Sequence, residues 1–201
     1  MTRRPHANLE LIKRVLGNDF LELAIHRLTL AEKLDSEVCS VVVEATQSGN
    51  GQAPVMEGEG CGIADAIYTA LLSRYGTEYQ SLQSISFTSF RVNARLGSES
   101  SHAGLDAVAE VELVVQNSEG SLFTFTDASR SITSSTARAV IAAIEYFLNA
   151  ERAFITLYRS LKDAQARNRE DLVTRYTREL AEVVKSTSYA EVIENIKKDL
   201  P

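Results

Sequence analysis

The chain predicts an α+β fold, with a mainly antiparallel sheet and helices on one face. Three observations predict it. Runs rich in β-branched residues end in glycine-containing hairpin turns rather than in crossover helices. A strand–turn–strand–helix pattern occurs twice. Each copy has glycine or small hydroxyl residues where its last strand passes into its helix. The first copy runs from Val38 to about Tyr75, with the turn Ser48-Gly49-Asn50-Gly51 and the junction Gly58-Glu59-Gly60-Cys61-Gly62-Ile63-Ala64-Asp65-Ala66. The second runs from Asp106 to about Leu161, with the turn Asn117-Ser118-Glu119-Gly120 and the junction Ser129 to Thr136. An offset of 69 residues maps Gly51 onto Gly120, Gly62 onto Ser131, Ile63 onto Ile132 and Ala70 onto Ala139. Both junctions bring helix-start N–H groups to one end of a sheet, an arrangement that holds a small anion without a metal.

The elements follow in order. Residues 1–7 are polar, basic and interrupted by Pro5, and are expected to be disordered. Residues 8–34 predict two short helices. Leu9, Ile12, Val15 and Leu16 form the first stripe, and Gly17 and Asn18 break it. Asp19 with Glu22 forms a capping box for the second, whose apolar side is Phe20, Leu23, Ala24, Leu28, Ala31 and Leu34. His26 falls among them as a surface or half-buried imidazole. Residues 39–45 form a strand, with Gln52–Glu57 as a weaker partner demoted by Pro54. Ile63–Tyr75 is a helix ended by Gly76. From Ile85 to Leu96 residues alternate, with Phe87, Ser89 and Arg91 on one side and Phe90, Val92 and Ala94 on the other. Residues 97–104 form a loop that exposes His102. Residues 107–115 and 122–126 form the second hairpin. A long helix starts at Ile132 and continues towards Leu161, a charged stretch spans 162–171, and a helical pair ends the chain. A capping box of Ser188 and Glu191 heads the last helix.

A hydrophobic content of 44% is enough to build a core. The net charge of −6 argues against a nucleic-acid partner, which selects a basic surface. No signal peptide and no apolar run of membrane length is found, so no membrane partner is expected and the compartment is expected to be the cytoplasm. Cys39 lies in an apolar strand as a core residue. Cys61 lies beside glycines at a helix start, where a thiol pKa falls, but no histidine is near it in sequence.

Gly58, Gly60 and Gly62 are spaced neither as a dinucleotide fingerprint nor as a P-loop. They serve either as backbone punctuation or as a point of close approach to a ligand. Asp65 favours the helix dipole and is also placed to take a ligand ammonium. Ser129, Ser131, Thr133, Ser134, Ser135 and Thr136 exceed what one N-cap needs, and the surplus is free to bond a carboxylate or to cross a subunit interface. No Ser-His-Asp set, acid–base pair or metal cluster is present, and neither a catalytic group, a metal nor a cofactor is expected.

At these residues the chain resembles the C-terminal allosteric (dimerisation) domain of 2-isopropylmalate synthase and citramalate synthase. Gly60-Cys61-Gly62-Ile63-Ala64-Asp65-Ala66-Ile67-Tyr68-Thr69-Ala70 fits the family's first motif, approximately Gly-Asn-Gly-Pro-Val-Asp-Ala with a following aromatic and Ala. Gly104-Leu105-Asp106-Ala107 and Ser131-Ile132-Thr133-Ser134-Ser135-Thr136-Ala137-Arg138-Ala139 match later stretches. Cys61, Ile63 and Ser131 stand where the family has Asn, Pro and an acidic residue. The resemblance divides the chain into an N-terminal helical extension (1–36), the allosteric-type domain (37–150) and a C-terminal helical extension (151–201). It also implies a pocket of Gly58, Gly60, Cys61, Gly62, Ile63, Ala64, Asp65, Tyr68, Ser131, Ile132, Thr133, Ser134 and Ser135.

The resemblance implies a homodimer that binds a branched-chain amino acid and regulates leucine biosynthesis. The family's enzymes carry a catalytic TIM barrel of about 250 residues, and only some 36 residues precede the first expected strand. The chain is therefore expected to be free-standing, to act in trans on a separate catalytic subunit, and not to perform the condensation itself. A second reading is a scaffold that kept the dimer fold and lost its ligand. A third is a small enzyme using Cys61 or Asp65.

Overall fold

The computed structural model describes residues 6–49, 51–52, 55–95 and 108–185. The expectations for residues 1–5, for the 97–104 loop with His102, for Gly104–Ala107 and for the Ser188–Glu191 cap lie outside them.

Helix α1 (His6–Leu16) buries Ile12 and Leu16. Gly17, at φ 52°, ends it in a single 3-10 turn over Gly17–Asp19. The expected second helix does not form. Its residues make strand β1 (Leu23–Lys33), antiparallel to β2 (Val38–Gln47). A bulge between Ile25 and Arg27 is the reason for the mismatch. It shifts the side-chain phase, so that Leu23, Ile25, Leu28 and Leu30 pair with Gln47, Ala45, Val43 and Val41. That spacing imitates a helical stripe in sequence. The Asp19–Glu22 capping box fails with it: the Glu22 N–H donates to Ser48 Oγ at 2.9 Å.

The first copy therefore has four strands before its helix and the second has three. Beyond β2, a two-residue strand β3 (Gly51–Gln52) and then β4 (Met56–Gly60) pair antiparallel with β2 and lead into α2 (Ile63–Tyr75). In the second copy β5 (Ser86–Arg95), β6 (Val108–Gln116) and β7 (Leu122–Ser129) form a separate antiparallel sheet and lead into α3 (Ile132–Ala166). The first strand of each copy carries a bulge, at Ile25/Arg27 and at Phe87/Ser89. The turns form as expected. Gly49, Gly51 and Gly120 have φ of 83°, 72° and 74°, the left-handed region that glycine adopts without a Cβ penalty. Asn117 Oδ1 accepts the N–H groups of Glu119 and Ser121.

Cys39, Val41, Val43 and Ala45 of β2, and Val111, Leu113 and Val115 of β6, are buried against the helices. The alternate residues face outwards. Helix α3, about 52 Å long at 1.5 Å per residue, is the spine. Its buried positions run from Ser135 to Ala164. Phe123 and Phe125 of β7 meet Tyr146 and Phe147 of α3, with ring centroids 5.3–6.4 Å apart across the cluster. The charged stretch expected over 162–171 divides between the end of α3 and a turn at Arg167–Arg169, with Asn168 at φ 52°. Helix α4 (Glu170–Val184) then returns along α3. The near-buried Glu179 accepts from Arg14 of α1 at 2.9 Å and from Arg175 at 3.3 Å, tying α1 to α4.

Two buried polar side chains of α3 make long-range bonds to backbone groups, whereas Ser81 Oγ and Thr136 Oγ1 are buried with no partner among the described residues. Asn149 of α3 is fully buried. Its Oδ1 accepts the Leu21 N–H at 2.9 Å, and its Nδ2 donates to Leu21 O at 2.8 Å and to Glu145 O at 2.9 Å. Glu151 Oε2 accepts the Ser81 N–H at 3.0 Å. Asn149→Ala leaves both peptide groups of Leu21 buried without a partner, at about 1–3 kcal/mol each. We expect a loss of about 3 kcal/mol in urea unfolding, and a loss below about 1 kcal/mol would show that water replaces the amide.

Candidate functional site

At the first junction Gly58 and Gly60 lie in β4, not in a turn, and the reason for glycine is packing. A Cβ at Gly58 would come within 2.3 Å of Ala66 O and 2.4 Å of Ala70 N. At Gly60 it would meet Asp65 Oδ2 and Ala66 N. The two glycines let β4 lie directly on the backbone of α2. Gly62 differs: nothing lies within 4 Å of its would-be Cβ, and its φ of 177° is ordinary extended backbone. Gly62 is the N-cap of α2 and offers no side chain. The exposed Asp65 does not cap the helix; its Oδ2 accepts the Cys61 N–H at 3.0 Å. The first N–H groups of α2 are thus uncapped by any side chain and carry the positive end of its dipole. Ile63 and Ala64 are half-buried against the core. Tyr68 is held within its own fold: its O–H donates to Leu82 O, and its ring meets Phe87 edge-on at 4.8 Å. Cys61 is an exposed free thiol, whereas Cys39 is buried.

The second junction bonds mostly within itself, although the buried Thr136 Oγ1 has no hydrogen-bond partner among the described residues. Ser131 Oγ accepts the Ser134 N–H at 3.2 Å as the N-cap of α3. Ser129 and Ser135 bond each other at 2.8 Å. Ile132 is half exposed. Thr133 and Ser134 open onto a cavity of about 560 Å3, whose other walls are β1 and the outer face of α3. Leu23, Ile25, Leu28, Ala137 and Ile141 make it apolar on one side. No residue of the first junction lines it. The β1 residues escape a sequence reading that takes 20–34 as helix. The correspondence of the two bulged strands, Leu28 with Phe90, is the signal that would have found them. Arg138 also lines this cavity, but Asp127 takes its guanidinium in a bidentate pair at 2.9 and 2.8 Å. That pair lowers the pKa of Asp127. His26 Nε2 lies 2.8 Å from Thr46 Oγ1 on exposed strand surface.

Glu145 lies where this cavity meets a second one, of about 460 Å3, walled by Leu9, Phe20, Phe125 and Tyr146. Its carboxylate accepts the Leu23 N–H. Burial outweighs that bond and pushes its pKa up to about 7; Glu22 adds to the rise and Lys13 opposes it. Among the described residues no cluster of metal-ligating side chains is present.

Two antiparallel sheets, each leading into a helix with glycine or serine at its start, define the class: a repeat-built α+β module. Residues 9–148 match the family model of the LeuA allosteric (dimerisation) domain, and the chain belongs to that family. It is also similar to a probable 2-isopropylmalate synthase of Archaeoglobus fulgidus, with 31% identity over 140 residues. That match covers 70% of this chain and 23% of the relative, so the chain spans less than a quarter of that enzyme's length.

Gly58→Ala must push β4 off α2 and is expected to cost about 2–3 kcal/mol, whereas Gly62→Ala is expected to stay within about 1 kcal/mol; chemical denaturation of both variants distinguishes packing from ligand approach as the reason for glycine. For Glu145 the sign follows from linkage. A carboxyl whose folded pKa lies above its unfolded value binds the proton more tightly when folded. Its stabilising contribution is present below about pH 4.5 and is lost as pH rises to about 7. Glu145→Gln keeps an acceptor for Leu23 and removes the titration. The melting temperature of the protein, measured against this variant, is expected to fall between pH 5 and 8; parallel profiles would show that Glu145 titrates normally.

Proposed function

We propose that this chain is a dimeric regulatory module that senses a branched-chain amino acid or a similar small carboxylate. It acts on a catalytic domain of 2-isopropylmalate synthase type, in trans where that domain is a separate chain, and so belongs to leucine biosynthesis in the cytoplasm. The observation that carries this reading is the uncapped start of α2 in a chain of this family. Its N–H groups take the carboxylate, with Gly62 leaving room for it and Ile63 and Ala64 beside it. Asp65 or a carbonyl takes the ammonium. The cavity of β1 and Thr133–Ser134 offers an aliphatic lining of the size a leucine side chain needs. Within one protomer the first junction contributes nothing to that cavity, so a pocket built from both junctions takes a second copy. Apolar residues support the dimer. Phe90 and Val92 of β5 pair with the fully buried Leu113 and Val111, yet are 44% and 38% exposed. Leu30 of β1 stands likewise beside the buried Val41.

A scaffold that has lost its ligand is the second reading. It is favoured by Cys61, Ile63 and Ser131 and by the bonds that Ser129, Ser131 and Ser135 make within the second junction. A small enzyme using Cys61 or Asp65 has less support, because Asp65 is engaged by the Cys61 N–H. Among the described residues no helix is long and apolar enough to cross a membrane.

Light scattering of the purified chain is expected to give the dimer mass. Leucine or isoleucine at a hundredfold excess over its dissociation constant is expected to stabilise it by about 2.7 kcal/mol. The open surroundings of Gly62 make Gly62→Val a clean probe, which is expected to fold and to lose that shift. A dimer with no shift from any amino acid or 2-oxo acid would establish the scaffold reading.

A further inference from the structure

We infer that a cavity at the C-terminal end of α2 binds a small oxyanion, a carboxylate or phosphate, through Arg74 and Arg152. The cavity measures about 400 Å3 and lies between the end of α2, the first hairpin turn and the middle of α3. That volume suits a small metabolite. It stands at the opposite end of α2 from the Gly62 junction, about 20 Å away by helix length.

The charge pattern carries the inference. Among the described residues, neither Arg74 nor Arg152 has a carboxylate within 4.0 Å. Arg130, Arg159 and Arg178 also lack one, but they are exposed and water solvates them. The other arginines whose side chains are described each have an Asp or Glu partner. The two half-buried arginines without a described carboxylate within 4.0 Å thus line one and the same cavity, with Glu78 reached from Arg152 through the Tyr79 hydroxyl. A partly desolvated guanidinium without an anion is costly, and its planar donor fork fits a carboxylate or phosphate edge.

The neighbours orient the forks without neutralising them. Arg74 lies over the Tyr75 ring, 4.9 Å from its centroid. Arg152 Nη1 donates to Tyr79 Oη at 3.5 Å, and the Tyr79 O–H donates to Glu78 at 2.8 Å. The acidic groups at the cavity, Glu78 and Asp19, are exposed on its rim. Burial and the bond to Glu78 hold the Tyr79 hydroxyl protonated, with its pKa pushed up to about 12, so it stays a donor at neutral pH.

The test is arginine labelling by phenylglyoxal, read by peptide mass spectrometry, with inorganic phosphate or succinate at constant ionic strength. One of the two anions is expected to slow labelling of Arg74 and Arg152 while Arg159 reacts unchanged. Whichever protects identifies the chemistry. Titration calorimetry of the same anion is expected to weaken about tenfold or more in Arg152→Gln and to be unaltered in Arg159→Gln. Protection of none of the three, equal protection of Arg159, or unaltered affinity in Arg152→Gln would overturn the site. The labelling readout uses the unmodified sequence and does not depend on a variant folding. Gly62→Val should leave the protection intact, which separates this site from the amino-acid site at the start of α2.

Discussion

The architecture depends on one constraint: where the chain between Phe20 and Leu23 crosses α3, the buried peptide groups of Leu21 and the N–H of Leu23 find their partners on α3. Asn149 takes both the N–H and the carbonyl of Leu21, and Glu145, one turn earlier, takes the N–H of Leu23. The spacing of four residues puts both side chains on one stripe of the helix. The orientation of β1 follows, because Leu23 is its first residue and pairs with Gln47 at the open end of the β1–β2 hairpin. Glu151 does the same for the Ser81 N–H, in the connection from α2 to the second sheet. Both repeats are therefore pinned to α3 by buried polar groups, whose loss costs more than the bonds themselves contribute.

What was legible in the sequence was local. The glycine turns, the β-branched runs of β2 and β6, and the apolar spacing of α2 and α3 each declare themselves within about a dozen residues. Strand β1 did not. Its bulge at Ile25/Arg27 breaks the alternation that marks a strand, and the resulting Leu23, Ala24, Leu28 and Ala31 satisfy a helical period as well. Only pairing with β2 decides between the two, and pairing is a tertiary contact. The same applies to the division of the strands into two sheets, which no periodicity encodes.

The site was legible in outline and misattributed in part. Gly58 and Gly60 stood out as places of close approach, and close approach is what they provide, but to the backbone of α2 rather than to a ligand. Gly62 looks the same in sequence and is open in space. The hydroxyl-rich second junction proved to be capped and cross-bonded by its own serines, except at Thr133 and Ser134, which face a cavity, and at Thr136, whose buried hydroxyl has no partner among the described residues. Arg74 and Arg152 carry no motif at all. They come from different helices, and their meeting at one cavity without a described carboxylate within 4.0 Å is a tertiary fact that no local pattern encodes.

The two arginines are not equivalent. Arg74 sits in the last turn of α2, where a cation is favoured by the negative end of the helix dipole even without a ligand. Arg152 lies in the middle of α3, where no dipole end offsets its charge, and it follows Asn149 by three residues on the same stripe. The case for a bound anion therefore rests more heavily on Arg152. Its position also has a mechanical consequence. Leu21 and Phe20 wall the arginine cavity, Phe20 and Glu22 wall the cavity beside Tyr146, and Leu23 walls the one beside Thr133. One short segment is thus a shared wall of all three. A ligand in any of them shifts the others only if that segment has a second arrangement that the ligand prefers. The three hydrogen bonds of Asn149 set how much differential affinity such a shift requires.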